Sequence, residues 1–223
     1  MEKSKENSLE NLVAEDQKLF EESHELSDYF KTQLDLIKDS WFRILIDSFL
    51  DTKVNSFVFE KSTSSTGKYH PVFQNGKCGN GIHTKNVVKI LQVFERAHPG
   101  LNWDTVYAAA ILHDCTKYEK EDSKYTDGKH ALTAAQEFKD FAKVYLSTNC
   151  NWKEKRKFAK LVKETAYNIK WHDGRFNPLN ATKEQIGQNY TKKFYKNVKT
   201  AEAHLLHLAD MISANKALWE EWF

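Results

Sequence analysis

The stretch from Ala108 to Lys117 reads AAAILHDCTK, setting His113 and Asp114 side by side at the end of an apolar run with Lys117 shortly after. A bare carboxylate buried beside such a run costs several kcal/mol, so Asp114 needs a cation, either a side chain or a metal. Alone, the dipeptide would read as a solvated helix end. Four other ligand-type residues change that reading, because each interrupts an apolar helical stripe. His83 lies one turn before Val87 on the face that continues through Leu91 and Phe94, and His130 heads the stripe Ala134, Phe138, Phe141 and Tyr145. His172 extends the set Phe158, Leu161, Val162, Thr165, Ala166 and Ile169, and Asp210 shares a face with Ala203, Leu206, Ala214 and Ala217. Four imidazoles and two carboxylates from five helices, all turned to one interior, are best satisfied by shared metal coordination. With no thiolate in the set, the donors suit Mn, Fe, Ni, Co, Zn or Mg.

The elements that must position these residues read as helices almost throughout. Residues 8–50 have helical periodicity, acidic at first and strongly apolar from Trp41 to Leu50, which should pack on the core. The acidic beginning suits packing against its own domain or contact with a partner protein. Asn55–Phe59 (NSFVF) is expected as a short strand, giving a hairpin near 55–73, and Lys61–Gly67 as a turn. Gly79 and Gly81 either let the backbone approach the site or form a turn that delivers His83 to a helix running to His98. Asn102 is the expected N-cap of a helix over Trp103–Asp114. Further helices follow Gly128, span Trp152–Trp171 and begin near Ala201. Residues 177–200, with Lys192, Lys193, Lys196 and Lys199, read as a lid, a substrate-binding insertion or a solvated loop. The expected architecture is all-α: a helical extension over 1–50 and one domain over 51–223.

Bulk properties narrow the function classes. A chain of 223 residues supports one good-sized core. No stretch approaches the roughly 20 apolar residues of a membrane span, and the N-terminus has no signal-like apolar region, so a cytoplasmic protein is expected. Cys78, Cys115 and Cys150 have no paired spacing, which argues against a disulfide framework or a cysteine zinc site. The net charge of +2 conceals a local −6 over residues 1–36, so the remainder is basic and suits an anionic substrate.

The order His83, His113 with Asp114, then Asp210 resembles the H…HD…D signature of the HD-domain metal-dependent phosphohydrolases, a mostly helical superfamily. HTKNVVKI is similar to that family's first-histidine helix, AAILHDCTKY to its HDxxK segment and HLLHLADMISANKAL to its last-aspartate helix. KWHDGRFNP resembles the histidine-glycine segment of the branch containing 3′→5′ exoribonucleases, although no separate nucleic-acid-binding domain is visible. The resemblance spans about His70 to Ala217. It implies an HD-domain helical bundle and a first ion held by His83, His113, Asp114 and Asp210. In members with two ions, added histidines hold the second; here those are His130 and His172, with Asp114 bridging.

The chemistry implied is hydrolysis of a phosphomonoester or phosphodiester by metal-activated hydroxide, with one or two divalent ions. Lys117 is expected to reach a phosphate oxygen if its helix continues, making Asp114 and Lys117 the catalytic pair. Arg175, His70, Lys129 and Lys85 are candidates for binding substrate, and Trp171 is read mainly as core. His207, one turn before Asp210, is either a supporting partner or a rival ligand. The expected substrate is a nucleotide, cyclic nucleotide or short oligonucleotide. The alternatives are a 3′→5′ exonuclease on single strands and a non-catalytic nucleotide-sensing module.

Overall fold

Trp103–Leu112 forms the central helix of the molecule, and its sequence explains why. Three consecutive alanines let neighbouring helices approach, and Thr105 to Leu112 is buried without interruption. The computed structural model describes residues 2–23, 25–53, 57–64, 70–118, 120–173, 198 and 200–222. In chain order these form α1 (Glu2–Glu22), α2 (Leu26–Tyr29), α3 (Lys31–Leu34), α4 (Ser40–Lys53), α5 (Phe57–Glu60), α6 (Gly79–Ala97), α7 (Trp103–Leu112), α8 (His130–Asn149), α9 (Trp152–Trp171), α10 (Ala201–Ser213) and α11 (Lys216–Trp222). Among the described residues there is no β-strand, and no helix is long and apolar enough to cross a membrane.

α7 is enclosed by α6, α9 and α10, while α8 lies along α9. The region before α5 joins the same core: Phe30, Ile37, Phe42, Ile46, Phe49 and Leu50 are fully buried. Phe49 meets the edge of Phe138 on α8 at 5.4 Å between ring centroids. Asp104 on α7 accepts the backbone N–H groups of Lys38 and Asp39 at 2.8 and 3.0 Å, which ties the start of α4 to α7.

Three local expectations are corrected. Phe57–Glu60 is a turn of helix, not a strand, and no strand of a hairpin is found among the described residues of 55–73; Val58 and Phe59 are consecutive and both buried, which a half-buried strand cannot arrange. Asn102 precedes α7 but does not cap it with its side chain, which instead donates to Glu164 at 2.9 Å. α6 starts four residues before His83, at Gly79, after Cys78 takes a left-handed conformation at φ 60°. There the backbone N–H groups of Cys78 and Asn80 donate to the carbonyls of Glu60 and Lys61, satisfying donors a helix start leaves unpaired.

The two glycines serve this first turn. A Cβ on Gly79 would lie 2.1 Å from the Gln74 carbonyl oxygen, and one on Gly81 would lie 2.6 Å from the Tyr29 hydroxyl. They bring α6 against its neighbours, not against a ligand. Alanine normally favours a helix interior over glycine by about 1 kcal/mol. Here the sign should reverse: Gly81→Ala should destabilise by about 1–3 kcal/mol in urea unfolding, and Gly79→Ala by more, because its obstacle is backbone.

Candidate metal centre

His113 closes α7 in helical conformation, and His172 closes α9 in the same way. In both, ring Nδ1 lies 2.7 Å from the carbonyl three residues earlier, that of Ala110 or Ile169. His130, the first residue of α8, uses the Asp127 carbonyl at 2.7 Å. His83 Nδ1 lies 3.0 Å from the Ser213 hydroxyl, which is fixed in turn by Gln74 Nε2. The carbonyls place a proton on Nδ1 of His113, His172 and His130, and all four rings turn Nε2 inward.

The four Nε2 atoms meet around Asp114. His83 Nε2 and His113 Nε2 are 3.4 Å apart, and Asp210 Oδ1 stands 2.9 Å from the first and 3.9 Å from the second. Asp114 Oδ2 faces this group, at 3.5 Å from His113 and 3.9 Å from His83. On the other side, His130 Nε2 and His172 Nε2 are 3.3 Å apart, with Asp114 Oδ1 at 3.2 and 3.6 Å. Donors sharing one ion at about 2.0–2.2 Å stand about 3–3.6 Å from each other, so this spacing fits divalent ions. The donor chemistry fits as well, being imidazole and carboxylate throughout.

Electrostatics point the same way. Burial alone would raise the Asp114 carboxyl, but Lys117 and His113 hold it well below the usual carboxylate range, aided by hydrogen bonds from His130 and His172. Desolvation would raise Asp210 too, yet its hydrogen bond with His83 lowers it. His113 is pushed down to about 4 by burial, so its Nε2 carries a lone pair at neutral pH. His130 is also buried, but Asp173 and Asp114 outweigh that and push it up to about 10. The cluster therefore draws in positive charge, and a proton on His130 supplies some of it.

Of the residues singled out in the sequence, His83, His113, Asp114, His130, His172 and Asp210 come together. Lys117 joins them, donating to Asp114 Oδ2 at 2.5 Å, although α7 ends at Leu112 and a turn brings it there. His70 packs edge-on to His83 at 5.4 Å and is pushed down to about 4 by burial. Lys129 is exposed, one residue before His130. Lys85 is not at the site: its ammonium pairs with Asp16 at 2.7 Å and sits 3.5 Å from the Tyr29 ring centroid. Trp171 is core, packed with Val198 and Ala203. His207 is a supporting partner, its Nδ1 2.6 Å from the His172 carbonyl. Arg175 and nearly all of 177–200 lie outside the described residues. A surface cleft of about 1460 Å³ between α8 and α9 is lined by none of the six clustered residues.

Sequence reasoning missed Asp173, whose Oδ1 lies 3.3 Å from His130 Nε2 and 3.5 Å from His172 Nε2. The available signal was a second His-Asp dipeptide, His172–Asp173, repeating His113–Asp114. Ser213 was also missed; it lies three residues after Asp210 and so on the same side of α10. Nothing in the sequence marked Gln74.

Comparison with known families gives one finding: the model of the HD domain matches residues 80–215. No curated protein and no solved structure matches significantly. The matched span contains all six clustered residues as well as Lys117 and Asp173.

Because His130 holds its proton up to about 10, an ion seated there must displace it. Divalent-ion affinity should therefore fall as pH falls, by about tenfold per pH unit for each proton released. Titration calorimetry with Mn²⁺ in buffers of different ionisation enthalpy should count at least one proton released per chain at pH 7. Binding independent of pH between 6 and 8 would contradict this.

Proposed function

The chain belongs to the HD-domain superfamily of metal-dependent phosphohydrolases, and on that premise we propose that it hydrolyses a phosphomonoester or phosphodiester bond in a nucleotide, cyclic nucleotide or short oligonucleotide. One observation carries the reading: the buried carboxylate of Asp114 turns each of its oxygens to a different pair of imidazole Nε2 atoms. A carboxylate in that position could bridge two ions. His83, His113, Asp210 and Asp114 Oδ2 would hold the first, and His130, His172 and Asp114 Oδ1 would belong to the second. Divalent ions in such a site lower the pKa of water and offset charge on a reacting phosphoryl group.

The chain's own groups supply the rest. His83, His113 and His172 are essentially sealed from solvent, whereas Asp210 and Lys117 are partly open, 19% and 12% exposed. Substrate therefore approaches along the Asp210–Lys117 edge. Burial opposes the charge on Lys117, but Asp114 raises its pKa, so it is a cation at neutral pH. Were an ion held at Asp114 Oδ2, that ammonium would be released to hold a phosphate oxygen as charge develops. The neutral ring of His70 offers a hydrogen-bonding group beside His83, and Lys129 and Arg175 are the remaining candidates for holding anionic substrate. Lys85, committed to Asp16, takes no part.

The test is phosphate release or diester opening by Mn²⁺-loaded protein across nucleotides, cyclic dinucleotides and short oligonucleotides. His113→Ala and Asp114→Ala should lower turnover by at least about 10³-fold together with metal content. Lys117→Ala should keep its ions and lose about 10²–10³-fold in kcat. Turnover of none of these substrates would overturn the hydrolase reading, and full metal content with full turnover in Asp114→Asn would overturn the bridge. Stepwise, strongly salt-dependent degradation of single strands would favour the exonuclease alternative.

A further inference from the structure

We propose that Asp173 is the fourth protein ligand of the second ion, which makes that site a two-histidine, two-aspartate site. The inference rests on the two-ion reading above and adds a ligand to it.

His130, His172 and Asp173 bring their ligand atoms together as a set able to hold an ion, and Asp114 reaches the same two imidazoles. His130 Nε2, His172 Nε2, Asp114 Oδ1 and Asp173 Oδ1 are separated by 3.3 Å (His130–His172), 3.2 and 3.6 Å (Asp114 to each histidine), and 3.3 and 3.5 Å (Asp173 to each histidine). The spread is only 0.4 Å between shortest and longest. Equivalent edges at the first ion's site run from 2.9 to 3.9 Å. The second set is thus the more regular, although only two of its members stood out in the sequence. Asp173 is also placed by construction. It follows His172, whose ring is locked by the Ile169 carbonyl and whose own carbonyl is held by His207.

A competing account makes Asp173 a counter-ion for a protonated His130 and nothing more. Against it, Asp173 Oδ1 is almost equidistant from both imidazoles, and Asp114 Oδ1 is arranged in the same way on the other side. An ion held between the two rings requires that sharing, and the count of bound ions separates it from two counter-ion pairs.

The fourth ligand has a chemical consequence. Four protein donors complete a tetrahedral ion and leave it no position for substrate, whereas a six-coordinate ion such as Mn²⁺ or Co²⁺ keeps two. Asp173 is 13% exposed, so the second ion's site is not closed on that ligand's side.

Metal content and spectroscopy test this without relying on turnover. The folded, full-length protein is titrated with Mn²⁺ alone, counting bound ions and recording the electron paramagnetic resonance of the loaded protein. The wild type should bind two Mn²⁺ per chain with a spin-coupled spectrum. Asp173→Asn should bind the second Mn²⁺ at least about tenfold more weakly, since even an outer-sphere partner is worth that much, and should show an uncoupled single-ion spectrum. Asp173→Glu, which keeps a carboxylate, should restore the second ion at least in part, and circular dichroism confirms that each variant is folded. Two ions of wild-type affinity in Asp173→Asn would overturn the proposal, as would a single ion in the wild type. Two coupled ions lost with Asp173 in a protein that hydrolyses nothing would uphold this ligand while sinking the hydrolase reading.

Discussion

A carboxylate that is almost fully removed from water sits between four imidazoles, and the fold is arranged to make that tolerable. Stripped of solvent, the Asp114 side chain would carry a penalty of several kcal/mol. Lys117 answers part of it at one oxygen. At the other oxygen stand two histidines that burial would keep neutral and that Asp173 and Asp114 push towards the protonated form. Three carboxylates, Asp114, Asp173 and Asp210, thus share a pocket with one lysine. Protons on imidazoles narrow the gap in charge, but His130 and His172, both pushed towards the protonated form, then stand with their Nε2 atoms 3.3 Å apart. A dication removes the repulsion and supplies the charge together.

Ring orientation explains why helix ends recur at this centre. The last carbonyls of a helix have no partner within it. At the ends of α7 and α9, those of Ala110 and Ile169 take the Nδ1 protons of His113 and His172, so each histidine finishes its helix and is aimed by it. In both cases an aspartate follows, held by the same turn. A two-residue unit is used twice to aim one nitrogen and one carboxylate, and α8 presents His130 from the opposite polarity with the same spacing to a carbonyl. The rigidity lies in backbone hydrogen bonds of long helices, which is what coordination within a few tenths of an ångström demands.

Much of this could be read from the sequence, and the limits have physical causes. Polar residues embedded in apolar stripes revealed the six converging side chains, because helical period fixes direction once a helix is long enough. α9 was legible from end to end, its start marked by the capping box of Asn151 and Glu154. Phe57–Glu60 was misread because a short apolar run carries no period that separates strand from helix. The start of α6 was misplaced because its N–H groups are met by the distant carbonyls of Glu60 and Lys61. Asp173 escaped because it follows the last turn of α9, where stripe arguments no longer apply. Lys85 was assigned to substrate on the strength of charge alone, and charge does not say which side of a helix will be buried.

That lysine also accounts for the link between the acidic N-terminal region and the centre. Its stem is buried on α6 only two residues after His83, and its ammonium is satisfied by Asp16 of α1 and by the face of Tyr29. The Tyr29 hydroxyl donates to the same aspartate at 2.6 Å, and its ring lies where Gly81 leaves room. Without Asp16, a buried cation and a buried phenol would both lose their partner, a loss of about 3–5 kcal/mol for a broken buried pair. α1 therefore holds the first turn of α6 from behind, while Ser213 and Gln74 hold His83 from the front. The acidic character of residues 1–36 has a structural use at Asp16, and the helix carrying the first ligand is fixed from both sides before any ion is bound.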